Sequence, residues 1–173
     1  GGQQCLDLSA KVLCNEGDVI VSEQPSFIGA TNAFRSYGAH LVGVPVESDG
    51  MDLEALEKAL AENKNVRFIY TIPTFQNPTG RTLSLERRKA LAQMAGKYGF
   101  IIAEDDPYRD LRYSGTPLPS IKSYDKEGWV MFLGSFSKII SPGLRVGYMA
   151  GDARILRKCT VGKQSADVHT SNL

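Results

Sequence analysis

Histidine is nearly missing from this chain: His40 and His169 are its only two, and they lie far apart in sequence. A histidine-based metal centre needs several such ligands brought together, so that class is set aside. Cysteine is scarce as well. Cys5, Cys14 and Cys159 form no C-x-x-C pair and leave an odd thiol, which fits a reducing compartment better than a disulfide framework. No apolar run reaches the roughly 18 residues a membrane helix needs. No basic segment followed by an apolar stretch opens the chain, so no signal peptide is expected. Neither sign of charge is in excess: 20 basic and 19 acidic residues give a formal charge of +1, with no footprint of a nucleic-acid or membrane partner. Internal repeats, low-complexity tracts and long linkers are also lacking. Neither G-x-x-x-x-G-K-[ST] nor a G-x-G-x-x-G between a first strand and helix occurs, which counts against P-loop and dinucleotide-binding domains.

What is present is an alternation of short apolar runs with amphipathic stretches. The 173 residues are 42% apolar and 23% charged, an ordinary balance for a soluble globular protein. "QQCLDLSAKVLC" puts Leu6, Ala10 and Leu13 at helical spacing, and "DLEALEKALAEN" puts Leu53, Leu56 and Leu60 on one face. Ser84 suits an N-cap and Gly99 a C-terminal stop for the helix "LERRKALAQMAGKY", whose "ERRK" run at 86–89 reads as a solvated face. "DVIVSEQ", "HLVGVPV", "VRFIYTIP", "FIIAEDD" and "WVMFLGSF" read as strands, and "RVGYMAG" as a further one. Apolar strands alternating with helices give the fold class: α/β, a mainly parallel sheet with helices on both faces.

Ligands of open parallel sheets gather outside the carboxyl ends of the strands. Three strand ends deliver polar groups there: Glu104-Asp105-Asp106, Asn77 and Lys138. Lys138 stands in "GSFSKIISPGLRVG", among Ser135, Ser137 and Arg145. A lysine is nucleophilic only as the neutral amine, which desolvation or nearby positive charge favours. Hydroxyls and glycine amides around it suit a phosphate. Gly1-Gly2-Gln3-Gln4 offers further amides at a helix start, though alone it is more simply a helix-entry turn. A lysine, a phosphate cradle and an acidic strand end together point to pyridoxal 5′-phosphate, with the carboxylate keeping the pyridine nitrogen protonated.

"SFSKIISPGLRVGY" resembles the cofactor-lysine segment of the fold-type I aminotransferases, class I/II. "NPTG" at 77–80 and "EDDPY" at 104–108 stand in the same order at compatible distances, and the resemblance runs from Gly1 to about Asn172. It implies that Lys138 forms the Schiff base with the cofactor and moves the proton at the substrate α-carbon. It implies that Asp105 pairs with the pyridinium nitrogen; Asp106 is the rival, and only the D-x-x-Y spacing to Tyr108 chooses between them. Tyr108 and Asn77 would bond the ring 3-oxygen, although Asn77 also fits a plain turn before Pro78. Phe27 resembles the aromatic that stacks on the ring, with a core role as the alternative. Gly2, Gln3, Ser135, Ser137 and Arg145 would hold the phosphate, unless Arg145 pairs with an acidic residue. Glu104, Arg109, Asp110 and Arg112 read as structural.

The same resemblance implies transfer of an amino group from an amino acid to a 2-oxo acid, in a cytoplasmic homodimer. "EDDPYRDLRYSG" looks most like the branch acting on 2-aminoadipate, aromatic or branched-chain amino acids. Residues 1–173 would be the cofactor-binding large domain, truncated, without the amino-terminal segment and the small carboxyl-terminal domain that complete the site. Such an excerpt would be inactive alone. Two alternatives stay open: an aminotransferase-like effector-sensing domain of a bacterial transcription regulator, and a pyridoxal-phosphate-dependent C–S lyase.

Overall fold

A seven-stranded sheet organises the computed structural model, which describes residues 1–172. In chain order its strands are β1 (Val19–Gln24), β2 (His40–Glu47), β3 (Gly50–Met51), β4 (Val66–Thr71), β5 (Ile101–Asp105), β6 (Val130–Ser135) and β7 (Gly147–Ala150). Their spatial order is β3-β2-β1-β4-β5-β6-β7. The neighbours from β2 through β6 are all parallel, and the two outermost strands, β3 and β7, run antiparallel. Five parallel strands therefore end on one rim, and β7 begins there.

The helices are α1 (Gly2–Leu13), α2 (Ile28–Arg35), α3 (Leu53–Glu62), α4 (Leu85–Tyr98) and α5 (Ala153–Asp167). Strand side chains alternate between two cores, as the period of two requires. Val19, Val21, Ile69, Ile102 and Val130 pack with Leu56 and Ala59 of α3 and Leu91, Met94 and Ala95 of α4. Ile20, Phe68, Tyr70, Ala103, Met131 and Leu133 pack with Cys5, Leu6 and Ala10 of α1 and Ala30 and Phe34 of α2. Coverage of both faces explains why the central strands are apolar at nearly every position.

The caps on α4 are those expected. Ser84 Oγ accepts the Arg87 N–H, and Gly99 closes the helix in the left-handed region at φ 72°. α2 and α5 are additional to the sequence reading. α2 is short and has no side-chain cap, so it has no start signal. α5 is mostly polar and carries Gly162, where a Cβ would sit 3.2 Å from Leu8 Cδ2; that glycine lets α5 approach α1 closely. No helix among the described residues is long and apolar enough to cross a membrane.

Candidate functional site

The rim is built from the exits of β1, β4, β5 and β6 and from the start of α1. At the end of β5, three consecutive carboxylates have three different surroundings. Glu104 is fully buried and accepts the N–H groups of Ile121 (2.7 Å) and Lys122 (2.8 Å), which fits its structural reading. Asp105 lies in the other direction. Its Oδ2 accepts the hydroxyl of the fully buried Tyr70 at 2.9 Å, on the side of the sheet covered by α1. Burial pushes the Asp105 carboxyl up to about 7; the Tyr70 hydrogen bond opposes this, and Asp106 adds to it. Among the described residues neither Asp106 oxygen has a well-formed hydrogen bond; the Thr74 hydroxyl is near enough to favour its charge, and Arg109 Nη1 lies 3.7 Å away. Burial raises its pKa too, against the pull of Arg109.

α1 begins beside β6 and β7. Its first N–H groups have no carbonyl within the helix to bond. A Cβ on Gly147 would stand 2.8 Å from Gly134 O, 2.9 Å from the Gly1 carbonyl carbon and 3.0 Å from Gly2 N, so only glycine admits this approach. A Cβ on Gly2 would lie 3.5 Å from Ser135 Cβ. Ser135 Oγ accepts the Ser137 N–H at 3.2 Å. Arg145, held at φ 53°, brings its Nη2 to 3.4 Å from where a Gly1 Cβ would be, and its Nη1 donates to Pro142 O at 3.2 Å. Gln3 Nε2 donates to Gly29 O at 2.8 Å, and a Cβ on Gly29 would meet both the Phe27 ring and Gln3 Oε1. Gly2, Gln3, Phe27, Ser135, Ser137 and Arg145 thus form one continuous patch of donors with an aromatic at its side. Such a set, positive and rich in N–H and O–H, attracts an anion.

Asn77 and Tyr108 line a second feature, a cleft of about 590 Å³ shared with Phe75, Gln76, Leu111 and Arg112. Phe27 and Tyr108 both pack, half-buried, on the core that contains Tyr70, which links this cleft to the donor patch. Lys138 follows Ser137 on the rim loop. Its side chain is exposed, and no hydrogen bond or ion pair of its amine is seen among the described residues.

Four residues escaped the sequence reading. Tyr70, Glu23 and Gln76 hold the site from beneath, and parity along β1 and β4 was the only available signal for the first two. Arg88 overturns the reading of "ERRK" as a solvated face. It is fully buried, and its guanidinium donates to Leu83 O, Pro119 O, Pro73 O and Thr74 Oγ1. Arg87 beside it pairs with Glu47 and Asp49 and donates to Gly50 O and Met51 O. Both arginines clamp loops that arrive from elsewhere in the chain, which helical periodicity does not reveal.

Residues 1–169 match the family described as aminotransferase class I and II. An aromatic-amino-acid aminotransferase from Thermococcus litoralis is 47% identical over 99% of this chain and 42% of its own length. The crystal structure of the α-aminoadipate aminotransferase LysN from Thermus thermophilus, complexed with N-(5′-phosphopyridoxyl)-L-leucine, superposes with a TM-score of 0.94 at 44% identity. That match covers 98% of this chain and 44% of LysN. At lower identity, 35%, an uncharacterized HTH-type transcriptional regulator from Bacillus subtilis matches all of this chain and 36% of its own. The chain therefore spans less than half the length of the relatives it matches.

Proposed function

The chain belongs to the class I and II aminotransferase family, and on that premise we propose that the whole protein transfers an amino group from an amino acid to a 2-oxo acid with pyridoxal 5′-phosphate. Residues 1–173 form the large, cofactor-binding domain of that enzyme, and sequence outside them supplies the rest of the site. The enzyme works as a homodimer in the cytoplasm. Aromatic amino acids and 2-aminoadipate are the first donors to test, since relatives named for those substrates reach 47% and 44% identity against 35% for the regulator.

One observation carries this reading: the buried Asp105 stands at the strand rim on the same face as the donor patch at the start of α1. The residues fit the cofactor on chemical grounds. Its phosphate finds the N–H groups of Gly2 and Gln3, the hydroxyls of Ser135 and Ser137, and Arg145. Asp105, which burial pushes up to about 7, would pair with the ring nitrogen, and a positive charge there would favour its ionised form. The D-x-x-Y spacing to Tyr108, and the face it shares with the donor patch, favour Asp105 over Asp106 for this role. Phe27 would lie against the ring, and Asn77 and Tyr108, which line the neighbouring cleft, would bond its 3-oxygen. When bound, pyridoxal phosphate supplies an electron sink for the pair left behind by a departing α-proton. Lys138 would anchor the group and would take and return that proton.

The direct test adds pyridoxal phosphate to the whole protein, reduces with borohydride and maps the adduct. A single modified peptide bearing Lys138 is the expected result; modification spread over surface lysines would refute the assignment.

A second prediction concerns the cofactor-free protein. Burial raises Glu23, Glu104 and Asp105 to about 7 each, although hydrogen bonds oppose it in all three. Their unfolded pKa values lie near 4, so between about pH 4 and 7 the folded chain holds more protons than the unfolded one, and stability falls as pH rises. Asp125 works the other way. Desolvation pushes it up, but Lys122 and the N–H groups of Val130, Trp129 and Gly128 hold it at about 2, and its contribution is lost only as pH falls through that value. The cofactor-free chain should therefore melt roughly 5 °C or more higher at pH 5.5 than at pH 8. Asp105→Asn should raise the pH 8 melting point while destroying cofactor retention. Parallel differential scans at the two pH values check both, and a flat profile would show that these carboxyls ionise freely.

A further inference from the structure

Glu23 is a buried carboxylate for which the proposed chemistry has no direct use. It sits next to last in β1, 2% exposed, and its hydrogen-bond partners are all donors, while the Asp105 carboxylate acts on it through space. Oε1 accepts the Thr71 hydroxyl at 2.6 Å; Oε2 accepts the Ile72 N–H at 3.1 Å and Gln76 Nε2 at 3.2 Å. Gln76 extends the connection. Its Nε2 also donates to Pro25 O at 2.9 Å, and its Oε1 accepts both the N–H (2.9 Å) and the hydroxyl (2.7 Å) of Thr79. The loop from 76 to 81 closes on itself through Gln76 N–H to Arg81 O and Gly80 N–H to Gln76 O, so side chains must fix where it sits on the sheet.

This network joins two strand exits. One leads from β1 through Pro25 to Phe27; the other leads from β4 through Gln76 to Asn77, which lies between Gln76 and the Thr79 that the Gln76 side chain grips. Burying a carboxylate costs free energy that an apolar side chain at the same place would not. What a fully satisfied polar network supplies instead is a single geometry. We infer that Glu23 is a positioning residue: through Gln76 it fixes the Asn77 side chain relative to Phe27, and so fixes how Asn77 meets the cofactor ring oxygen. This rests on the cofactor reading proposed above.

A donor on the ring 3-oxygen disperses negative charge that otherwise holds the proton on the adjacent nitrogen linked to Lys138. A displaced Asn77 lets that proton be held more tightly, and the pH at which the bound cofactor changes colour rises. One weakened hydrogen bond corresponds to about half a pH unit to one unit.

The experiment titrates the visible spectrum of the cofactor-loaded whole protein across neutral and alkaline pH. Wild type is compared with Glu23→Gln, Gln76→Met and Glu104→Gln, with a thermal melt of each. Glu23→Gln sets an amide N–H₂ against donors, and Gln76→Met cuts the link while leaving Glu23 bonded to Thr71 and Ile72. Both should raise the midpoint by about half a unit to one unit. Glu104→Gln, which disturbs an equally buried carboxylate tied to residues 121 and 122, should lower the melting point and leave the midpoint alone. If Glu23→Gln does not fold, Gln76→Met decides. An unmoved midpoint in Gln76→Met, or an equal shift in Glu104→Gln, overturns the positioning role while the cofactor reading stands. A wild-type protein that shows no band fixed to Lys138 overturns both.

Discussion

Lys138→Ala should abolish amino-group transfer by the whole enzyme, a loss of roughly four orders of magnitude or more, without unfolding it. The two halves of that expectation have separate causes. The side chain is exposed on the rim loop and engaged in no hydrogen bond or ion pair among the described residues, so its removal costs within about 0.5 kcal/mol of stability. Its amine, by contrast, is the group that the proposed function assigns to anchor the cofactor aldehyde and then shuttle a proton. Lys138→Arg should be as inactive as the alanine variant, because a guanidinium keeps its charge throughout the working range and cannot serve as a base. Turnover with an aromatic donor, the visible spectrum and a thermal melt together make the test. Retention of even a tenth of wild-type turnover by Lys138→Ala would remove Lys138 from the mechanism.

Arg88→Met should be the most destabilising exchange of a charged residue, costing about 3–5 kcal/mol. The guanidinium satisfies Leu83 O at 2.9 Å, Pro73 O at 2.7 Å and Thr74 Oγ1 at 3.1 Å, all buried, and Pro119 O at 3.0 Å, partly buried. Methionine fills similar volume but orphans those acceptors. It also removes the cation that partly offsets Asp106 and Glu104, whose fields oppose the desolvation that lowers the Arg88 pKa. Arg88→Lys should recover only part of the loss, since a single ammonium cannot span acceptors spread around a planar fork. Urea midpoints at constant m measure this directly; a shift below about 0.5 kcal/mol in Arg88→Met would mean that the loops at 73–83 and 119 hold themselves. Because the same loop carries Asn77, the surviving folded fraction should also bind cofactor weakly.

The contrast between Lys138 and Arg88 shows what a one-dimensional reading can see. Features written in local order were legible: the apolar strands, the α4 caps at Ser84 and Gly99, and the strand end that delivers Glu104 and Asp105 to the rim. The parallel core and its two covered faces followed from those runs. Features that depend on what arrives from elsewhere were not. Arg88 looks like any helix arginine until the carbonyls of residues 73, 83 and 119 converge on it. Tyr70 looks like a strand aromatic until β5 is laid beside β4 and its hydroxyl meets Asp105. Glu23 was hidden in an otherwise ordinary strand end, since its donors lie some fifty positions further on. α2 and α5 lack a side-chain cap and a strong apolar stripe respectively, so their helicity comes from packing on α1 and the sheet.

The tight approach of Gly147 to Gly1 and Gly2 has a consequence for biosynthesis. The two sides of this donor patch are separated by most of the described chain, which makes it one of the least local contacts in the fold. At about 5–20 residues per second, a ribosome needs roughly 7–30 s after finishing the start of α1 to reach Gly147. Throughout that interval the amides of Gly2 and Gln3 exist without Ser135, Ser137 or Arg145 to share an anion. On the proposed function, cofactor capture is therefore a late event during synthesis. A nascent chain halted before β6 would leave the apolar side of α1 only half covered, and pyridoxal phosphate would give it no help.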